Sequence, residues 1–263
     1  MRATMRGLRP INGVELWIED AGAGPAVVLT HGYSATADMW APQRRALEER
    51  YRVATWDLRG HGRSASPDDP GAYSHELAID DLREILDALD VERAVVGGIS
   101  LGGFLSLAFY GRYPERVRAL VIADSGPGYR SDEARSQWNA LAQSRARDLE
   151  ERGLEALAGG TRERTEAMLV HGSAQGLAHA ARGLLAQRDA TVIDSLGGIG
   201  VPTLVVVGSE DEPFLAPCEY MARKIPGARL EIIEGAGHAA NLDRPEHFNK
   251  VLLDFLDGLP AEG

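Results

Sequence analysis

The chain has 263 residues, of which 44% are hydrophobic and 25% are charged, as in ordinary globular proteins. Its net charge is −11 at pH 7, which argues against nucleic acid and anionic membranes as main partners. The single cysteine, Cys218, allows neither an internal disulfide nor a thiolate metal cluster. No transmembrane run is predicted, and residues 1–10 lack the apolar stretch of a signal peptide. We therefore expect a cytoplasmic protein.

Short apolar runs alternate with helix-like segments in the first half of the chain. Asn12-Gly13 predicts a tight hairpin turn between the first two strands. The predicted strands are Met5–Arg9, Val14–Glu19, Ala26–Thr30, Arg52–Trp56, Ala94–Gly97 and Val117–Ala123. The predicted helices are Asp38–Arg50, Tyr73–Leu89 and Leu101–Tyr110.

The pattern changes between Ser125 and about Ser195, where helical segments occur without a convincing strand. The helices predicted in this stretch are Ser131–Arg152, Glu163–Val170 and Ala174–Arg188. The alternation then returns with strands at Thr203–Val207 and Arg229–Ile233 and helices at Leu215–Lys224 and Pro245–Leu256. Such alternation predicts an α/β fold with a mostly parallel sheet and helices on both faces. The helical stretch is predicted to be an insertion within one domain.

A G-x-S-x-G motif, Gly98-Ile99-Ser100-Leu101-Gly102, lies where a predicted strand meets a predicted helix. Alone the motif is weak, because short motifs recur by chance. Its position between strand and helix is the one that a nucleophile elbow requires, in which a sharp turn exposes the serine hydroxyl. The alternative is a glycine-rich turn with an idle serine.

A serine hydroxyl needs a base to act as a nucleophile, and the base needs a carboxylate to orient it. Asp211 and His238 each follow a predicted strand further along the chain. Open α/β sheets place their ligands at such strand ends. Ser100, Asp211 and His238 therefore form a candidate catalytic triad, with Glu210 and Glu212 as rival acids.

Acyl transfer also needs two N–H donors that stabilise the oxyanion. The first candidate is the backbone N–H of Leu101, which directly follows the candidate nucleophile. The second is the backbone N–H of Tyr33, in the loop after the strand Ala26–Thr30. His31 in the same loop is interpreted as structural.

Several motifs together resemble the α/β-hydrolase superfamily, over nearly the whole chain outside Ser125–Ser195. They are His31-Gly32, Asp57–Ser64, Gly98–Gly103, Val201–Thr203, Gly208–Asp211 and Gly237-His238. The stretches Ile225–Ala228 and Ala239–Glu246 are similar to 3-oxoadipate enol-lactonases and small carboxylesterases.

The resemblance implies an α/β-hydrolase fold with a mostly parallel eight-stranded sheet. It makes Ser100 the nucleophile, His238 the base and Asp211 the acid. It also implies a core of residues 1–124 and 196–263, with residues 125–195 as a helical cap over the site. We expect a serine esterase or lactonase that acts on a small, neutral acyl compound without cofactor or metal. Trp138, Met168 and Leu177 are candidates for the inner face of the cap, with Trp138 as a tentative substrate contact, and the favoured alternative is that they form the ordinary core of the cap.

Other interpretations are weaker or stay open. Gly60–Ala65 matches a dinucleotide fingerprint, but Ser66-Pro67 breaks the helix that such a site needs. His171 and His179 lack the spacing of a metal site. Asp124 is a rival triad acid, ranked below Asp211. The same triad could serve C–C hydrolysis, a lyase or a cofactor-free perhydrolase, or the fold could be a slow ligand sensor. The substrate and the oligomeric state stay undetermined.

Overall fold

The computed structural model describes residues 5–260, and its first element is the predicted hairpin. Strands β1 (Met5–Ile11) and β2 (Val14–Ala21) pair antiparallel. Asn12 and Gly13 connect them with φ angles of 45° and 79°, which are the left-handed conformations of a type I′ turn. The signal-peptide prediction concerns residues 1–10, of which 1–4 lie outside the described residues.

The sheet contains 8 strands in the order β1-β2-β4-β3-β5-β6-β7-β8. The remaining strands are β3 (Ala26–Thr30), β4 (Arg52–Trp56), β5 (Ala94–Ile99), β6 (Val117–Ala123), β7 (Thr203–Gly208) and β8 (Arg229–Ile233). The pairs from β4 to β8 are parallel, and β2 pairs with β4 antiparallel. The inner strands are almost entirely buried and mostly apolar, because helices cover both of their faces. The predicted mostly parallel sheet is confirmed.

Helices pack on the two faces of this sheet. The α-helices are α1 (Ala41–Leu47), α2 (His75–Ala88), α3 (Leu101–Arg112), α4 (Asp132–Arg152), α5 (Arg162–Ala167), α6 (Ala174–Ala180), α7 (Thr191–Ser195), α8 (Glu212–Lys224), α9 (Ala240–Asp243) and α10 (Pro245–Asp257). Helices α2, α3 and α8 contribute to one apolar core, and α1, α9 and α10 to the other. No helix within residues 5–260 is long and apolar enough to cross a membrane.

Two helix predictions differ from the structure. The segment predicted as one helix over Ala174–Arg188 is α6 followed by a π turn over Ala181–Leu185. A Cβ at Gly183 would lie 2.0 Å from the carbonyl oxygen of Tyr73, so this turn packs directly on backbone. The helix predicted over Asp38–Arg50 is interrupted, because a 3₁₀ turn precedes α1.

The helical segment between β6 and β7 is attached to the loops that follow β3 and β4. The Gly62 N–H donates to Nδ1 of His171, at 2.8 Å. The Tyr33 hydroxyl donates to the carbonyl oxygen of Leu177, at 3.0 Å. These contacts bring α4 to α7 close to the carboxyl ends of the strands. The division of the chain into a core and a cap stays a prediction.

Candidate active site

Ser100 lies between β5 and α3 in a strained backbone conformation. Its φ of 54° and ψ of −117° lie in a region that residues with a Cβ seldom adopt. Such strain is typical of functional sites, where it aims a side chain that a relaxed turn would not expose. The flanking glycines are required by close packing, since a Cβ at Gly98 would lie 2.4 Å from the Gly102 carbonyl carbon.

Gly102 offers a test of this packing. A Cβ at Gly102 would lie 2.1 Å from the Thr30 carbonyl oxygen and 2.7 Å from that of His31. Because both atoms belong to the backbone, we expect Gly102→Ala to lower the free energy of unfolding by about 3 kcal/mol. Urea denaturation followed by circular dichroism measures this change.

The matched control is Gly111, which lies in the same helix with nothing within 4 Å of an added Cβ. Gly111→Ala should leave the stability unchanged or raise it by up to about 1 kcal/mol, because alanine favours helix. Equal effects of the two substitutions would show that β3 and α3 do not pack as closely as described.

Asp211 and His238 come together although 27 positions separate them. Asp211 is the N-cap residue that precedes α8, in the short loop after β7, and His238 lies in the loop between β8 and α9. The Nδ1–H of His238 donates to Oδ2 of Asp211 at 2.9 Å. A Cβ at Gly208 would lie 2.2 Å from the Ala236 carbonyl oxygen, so the two loops press on each other without space for a side chain.

The surroundings of His238 raise the pKa of its imidazole above that of a free histidine side chain. Burial alone lowers the pKa of His238, but the hydrogen bond to Asp211 and the negative charge of Asp211 outweigh this effect. Asp124 and Glu163 act in the same direction, so the pKa of His238 is raised above its ordinary value. The ring of Phe214 packs on the imidazole with 4.8 Å between ring centroids, which restricts its orientation.

Asp124, the rival acid, has other partners. Its Oδ1 accepts from the Gly208 N–H at 2.8 Å, and its Oδ2 accepts from the Ala240 N–H at 3.2 Å. Burial raises the pKa of Asp124 to about 8. Asp124 therefore connects the loops that carry Asp211 and His238, while Asp211 accepts the hydrogen bond that His238 donates.

The two candidate oxyanion donors flank Ser100. Leu101 follows it at the first position of α3. The loop that holds Tyr33 comes equally close, since a Cβ at Gly32 would lie 3.3 Å from the Ser100 Cβ. Within residues 5–260, neither the Tyr33 nor the Leu101 backbone N–H donates to another backbone group outside regular secondary structure.

Two cavities meet at Ser100. The first, of about 80 Å³, is lined by Gly32, Tyr33, Met39, Ile99, Ser100, Arg145, Thr161, Glu163, Arg164 and His238. The second, of about 90 Å³, is mostly apolar and is lined by Phe104, Trp138, Leu184, Phe214 and Pro217 among others. Ser100 and His238 thus share one cavity wall, and the candidate nucleophile faces two chemically different spaces.

Of the three candidates for the inner face of the helical segment, one lines a cavity at Ser100 and two pack in or against the apolar core. Trp138 lines the apolar cavity, and its indole N–H donates to the Leu185 carbonyl oxygen at 2.7 Å. Leu177 is fully buried in the main apolar core, and Met168 packs against that core. Neither Leu177 nor Met168 lines the two cavities at Ser100, so for these two residues the structure agrees with the alternative of ordinary core packing.

Sequence reasoning missed several residues of the site. Arg145, Glu163 and Arg164 line the cavity shared by Ser100 and His238, and Phe214 packs on His238. The charged residues come from helices whose sequence resembles an ordinary solvated surface. The sequence does not show which side of α4 or α5 faces the cavity, because that depends on how these helices pack over the sheet.

His31 has the structural role that was expected for it, and Asp57 stabilises the same region of the chain. Nε2 of His31 accepts from the Leu58 N–H at 2.9 Å, while its Nδ1–H donates to the Gly32 carbonyl oxygen at 2.7 Å. Asp57 accepts from the N–H groups of Ala37 and Arg63, at 2.7 and 2.9 Å. These bonds hold the loop that contains Tyr33.

Known protein families and structures match this chain over most of its length. The family model of the alpha/beta hydrolase fold matches residues 25–245. The chain belongs to the α/β-hydrolase family. It is 31% identical to the 3-oxoadipate enol-lactonase 1 of Acinetobacter baylyi, over 89% of this chain and 90% of that protein. The predicted resemblance to enol-lactonases is confirmed.

Two further relatives extend the comparison. The chain is 29% identical to a putative 2-succinyl-6-hydroxy-2,4-cyclohexadiene-1-carboxylate synthase of Bacillus subtilis, over 94% of this chain and 97% of that protein. A thermophilic esterase of Thermogutta terrifontis superposes with a TM-score of 0.84 at 29% identity, over 98% of this chain and 100% of that one. Together the relatives support hydrolase activity for this α/β-hydrolase.

Proposed function

We propose that this α/β-hydrolase is a serine hydrolase that cleaves a small ester or lactone through an acyl-enzyme. The observation that carries the proposal is that Ser100 and His238 line the same cavity, and that the Nδ1–H of His238 donates a hydrogen bond to Asp211. This is the arrangement of nucleophile, base and orienting acid on which serine hydrolysis depends. No cofactor is required for it.

The chemistry proceeds in two halves. Oγ of Ser100 attacks the carbonyl carbon while Nε2 of His238 accepts its proton, and Asp211 stabilises the imidazolium that forms. The tetrahedral intermediate collapses, the carbon–oxygen bond to the leaving group breaks, and His238 protonates the departing oxygen. Water then attacks the acyl-enzyme with the same base, which releases the carboxylic acid and restores Ser100.

The negative charge that develops on the carbonyl oxygen needs donors close to Ser100. We propose the backbone N–H groups of Tyr33 and Leu101 for this role. Both are rigidly placed, because Leu101 begins a helix and the Tyr33 hydroxyl is bonded to the Leu177 carbonyl oxygen. Fixed donors of this kind stabilise a transition state without reorganisation during the reaction.

We also propose that residues 125–195 act as a cap on a core of residues 1–124 and 196–263. The support is that α4 and α5 contribute Arg145 and Glu163 to the cavity that holds Ser100, and α4 contributes Trp138 to the apolar cavity. The substrate would then bind between the cap and the carboxyl ends of the strands. Cavities of this size favour a small substrate.

The direct test of the proposed function is to trap the acyl-enzyme. The protein would be mixed with short-chain p-nitrophenyl esters, quenched with acid within the first turnover and digested. We expect the mass of the peptide that contains Ser100 to increase by that of the acyl group less one hydrogen, together with steady release of nitrophenol. Steady hydrolysis with the acyl group on another residue, or without any acyl-enzyme, would contradict the proposal.

The pH dependence of the reaction follows from the raised pKa of His238. The base must be neutral to accept the Ser100 proton, so kcat/KM should fall as the pH drops through the pKa of His238. Since that pKa is raised above the ordinary value of 6.5, the acid limb should have its midpoint above pH 6.5. A pH profile with a neutral ester measures the midpoint.

A substitution at Glu163 tests whether His238 is the group that controls the acid limb. Its negative charge contributes to the raised pKa of His238, so Glu163→Gln should move the acid limb to lower pH. A limb that moves to higher pH would show that another group controls the activity, and a limb that stays in place would show that Glu163 does not act on the controlling group.

A second candidate is a different reaction at the same residues, such as C–C cleavage or elimination. This candidate is supported by the similarity to the relative from Bacillus subtilis, which is named as a putative synthase. It is distinguished by the trapping experiment, because an elimination that uses Ser100 only as a base forms no acyl-enzyme. The expected ester hydrolysis would then also be absent.

A further inference from the structure

The cavity shared by Ser100 and His238 contains two arginines from the helical segment. Arg145 comes from α4 and Arg164 from α5, and both line the cavity together with the candidate nucleophile and base. Arg145 lies over the ring of Tyr33, with 6.0 Å between its Cζ and the ring centroid. A chain with 39 acidic and 28 basic residues thus places two cations at its reactive centre.

Neither arginine has an ion-pair partner among the described residues, in contrast to other arginines of the same segment. Arg182 pairs with Glu150, and Arg135 with Asp132. Nε of Arg164 is buried without any hydrogen-bond acceptor. A buried donor that lacks an acceptor is unfavourable, so a ligand that supplies one would be stabilised.

The electrostatics of the cavity also favour an anion. Burial and the positive charge of Arg164 lower the pKa of Arg145, which shows that the two guanidinium groups repel each other. Glu163 lines the same cavity, but its carboxylate is bonded to the Thr161 hydroxyl. Of the three charged groups that the segment directs into this cavity, two are positive and one is negative.

We propose that the acyl substrate carries a carboxylate, which Arg145 and Arg164 bind beside Ser100. The planar guanidinium donates two parallel N–H groups and so matches a carboxylate in geometry as well as charge. The less polar part of the substrate would occupy the cavity lined by Phe104, Trp138 and Leu184. The inference rests on the proposed function of Ser100, and it replaces the neutral substrate expected from composition.

The first experiment compares two esters of one acid. Monophenyl glutarate carries a free carboxylate, whereas phenyl methyl glutarate has the same chain with that carboxylate methylated. We expect the wild-type protein to cleave the phenyl ester of the anionic compound with a kcat/KM at least about 10-fold higher, and this ratio should fall with added salt. Equal or reversed preference would overturn the inference while leaving the hydrolase proposal intact.

The second experiment assigns the preference to the two arginines. Arg145→Gln and Arg164→Gln should each lower the ratio of the two kcat/KM values about 10-fold, mainly through a higher KM for the anionic ester. Arg145→Lys and Arg164→Lys should recover part of the ratio, because lysine keeps the charge but lacks the planar fork. Arg147→Gln is the matched control, since Arg147 is an exposed residue of the same helix α4. It should leave the ratio and the overall activity unchanged.

A binding measurement separates the two proposals. Glutarate itself would be titrated into the wild-type protein and the Arg145→Gln and Arg164→Gln variants by calorimetry at low salt. Binding that both substitutions weaken, in a protein that cleaves neither ester, would overturn the hydrolase proposal and leave the anion site standing. Cleavage of both esters without arginine-dependent glutarate binding would overturn the anion site alone. Circular dichroism of each variant identifies any loss of folding.

Discussion

The Ser100→Ala variant is expected to lose ester hydrolysis by on the order of a millionfold in kcat while remaining folded. The variant lacks the nucleophilic oxygen, so the acyl-enzyme cannot form and His238 has no proton to accept. The residual rate would come from the oxyanion donors and the binding of substrate alone. Steady-state turnover of a p-nitrophenyl ester measures this loss.

The stability of the same variant should change little. The serine side chain lies at the junction of the two cavities. Serine and alanine both carry a Cβ, so the substitution leaves the strain of the backbone at residue 100 much the same. Ser136→Ala is the control, because Ser136 is exposed on α4 and should be silent in both activity and stability. Activity of the Ser100→Ala protein within 10-fold of the wild type would refute Ser100 as the nucleophile.

The Asp211→Asn variant is expected to lose about 10⁴-fold in kcat. The carboxylate accepts the Nδ1–H of His238 and so presents the other, unprotonated nitrogen to Ser100. An asparagine amide at this position can donate to Nδ1, which favours the tautomer in which Nε2 carries the proton. It also removes the negative charge that stabilises the imidazolium formed in the transition state. Turnover of the same ester at a pH above the acid limb measures the effect.

Asp124→Asn is the informative comparison, because Asp124 is a buried carboxyl group close to the same loops. Its partners are the backbone N–H groups of Gly208 and Ala240, so we expect the free energy of unfolding to fall by about 1–3 kcal/mol. Its effect on kcat should be within about 10-fold. A larger loss of kcat in Asp124→Asn than in Asp211→Asn would identify Asp124 as the acid and reverse the present assignment.

Local patterns were sufficient to predict most of the sheet. The predicted strands Ala26–Thr30, Arg52–Trp56, Val117–Ala123 and Arg229–Ile233 have the bounds seen in the structure. The first three are short runs suited to a buried strand, and the last is a partly exposed strand at the edge of the sheet. Such signals depend on neighbouring residues only, so they are readable without knowledge of the fold. The hairpin at Asn12-Gly13 is equally local, because few residue pairs adopt two left-handed conformations in succession.

The helix bounds between Ser125 and Ser195 were harder to predict from the sequence. The run from Ala174 to Arg188 has the composition of one helix, yet it ends in a π turn where Gly183 packs on the Tyr73 backbone. This change comes from a contact between residues far apart in the chain. Helix propensity is a weak preference that such tertiary contacts override.

Local sequence patterns were enough to predict the alternation of strands and helices, the turn that holds Ser100 and the short set of candidate acids and bases. The folded arrangement was needed to show that His238 donates to Asp211 and not to Asp124, and that Arg145 and Arg164 line the cavity beside Ser100. This difference arises because backbone conformation depends largely on neighbouring residues. The partner of a charge depends on which loops and helix faces the sheet brings within a few ångströms of each other.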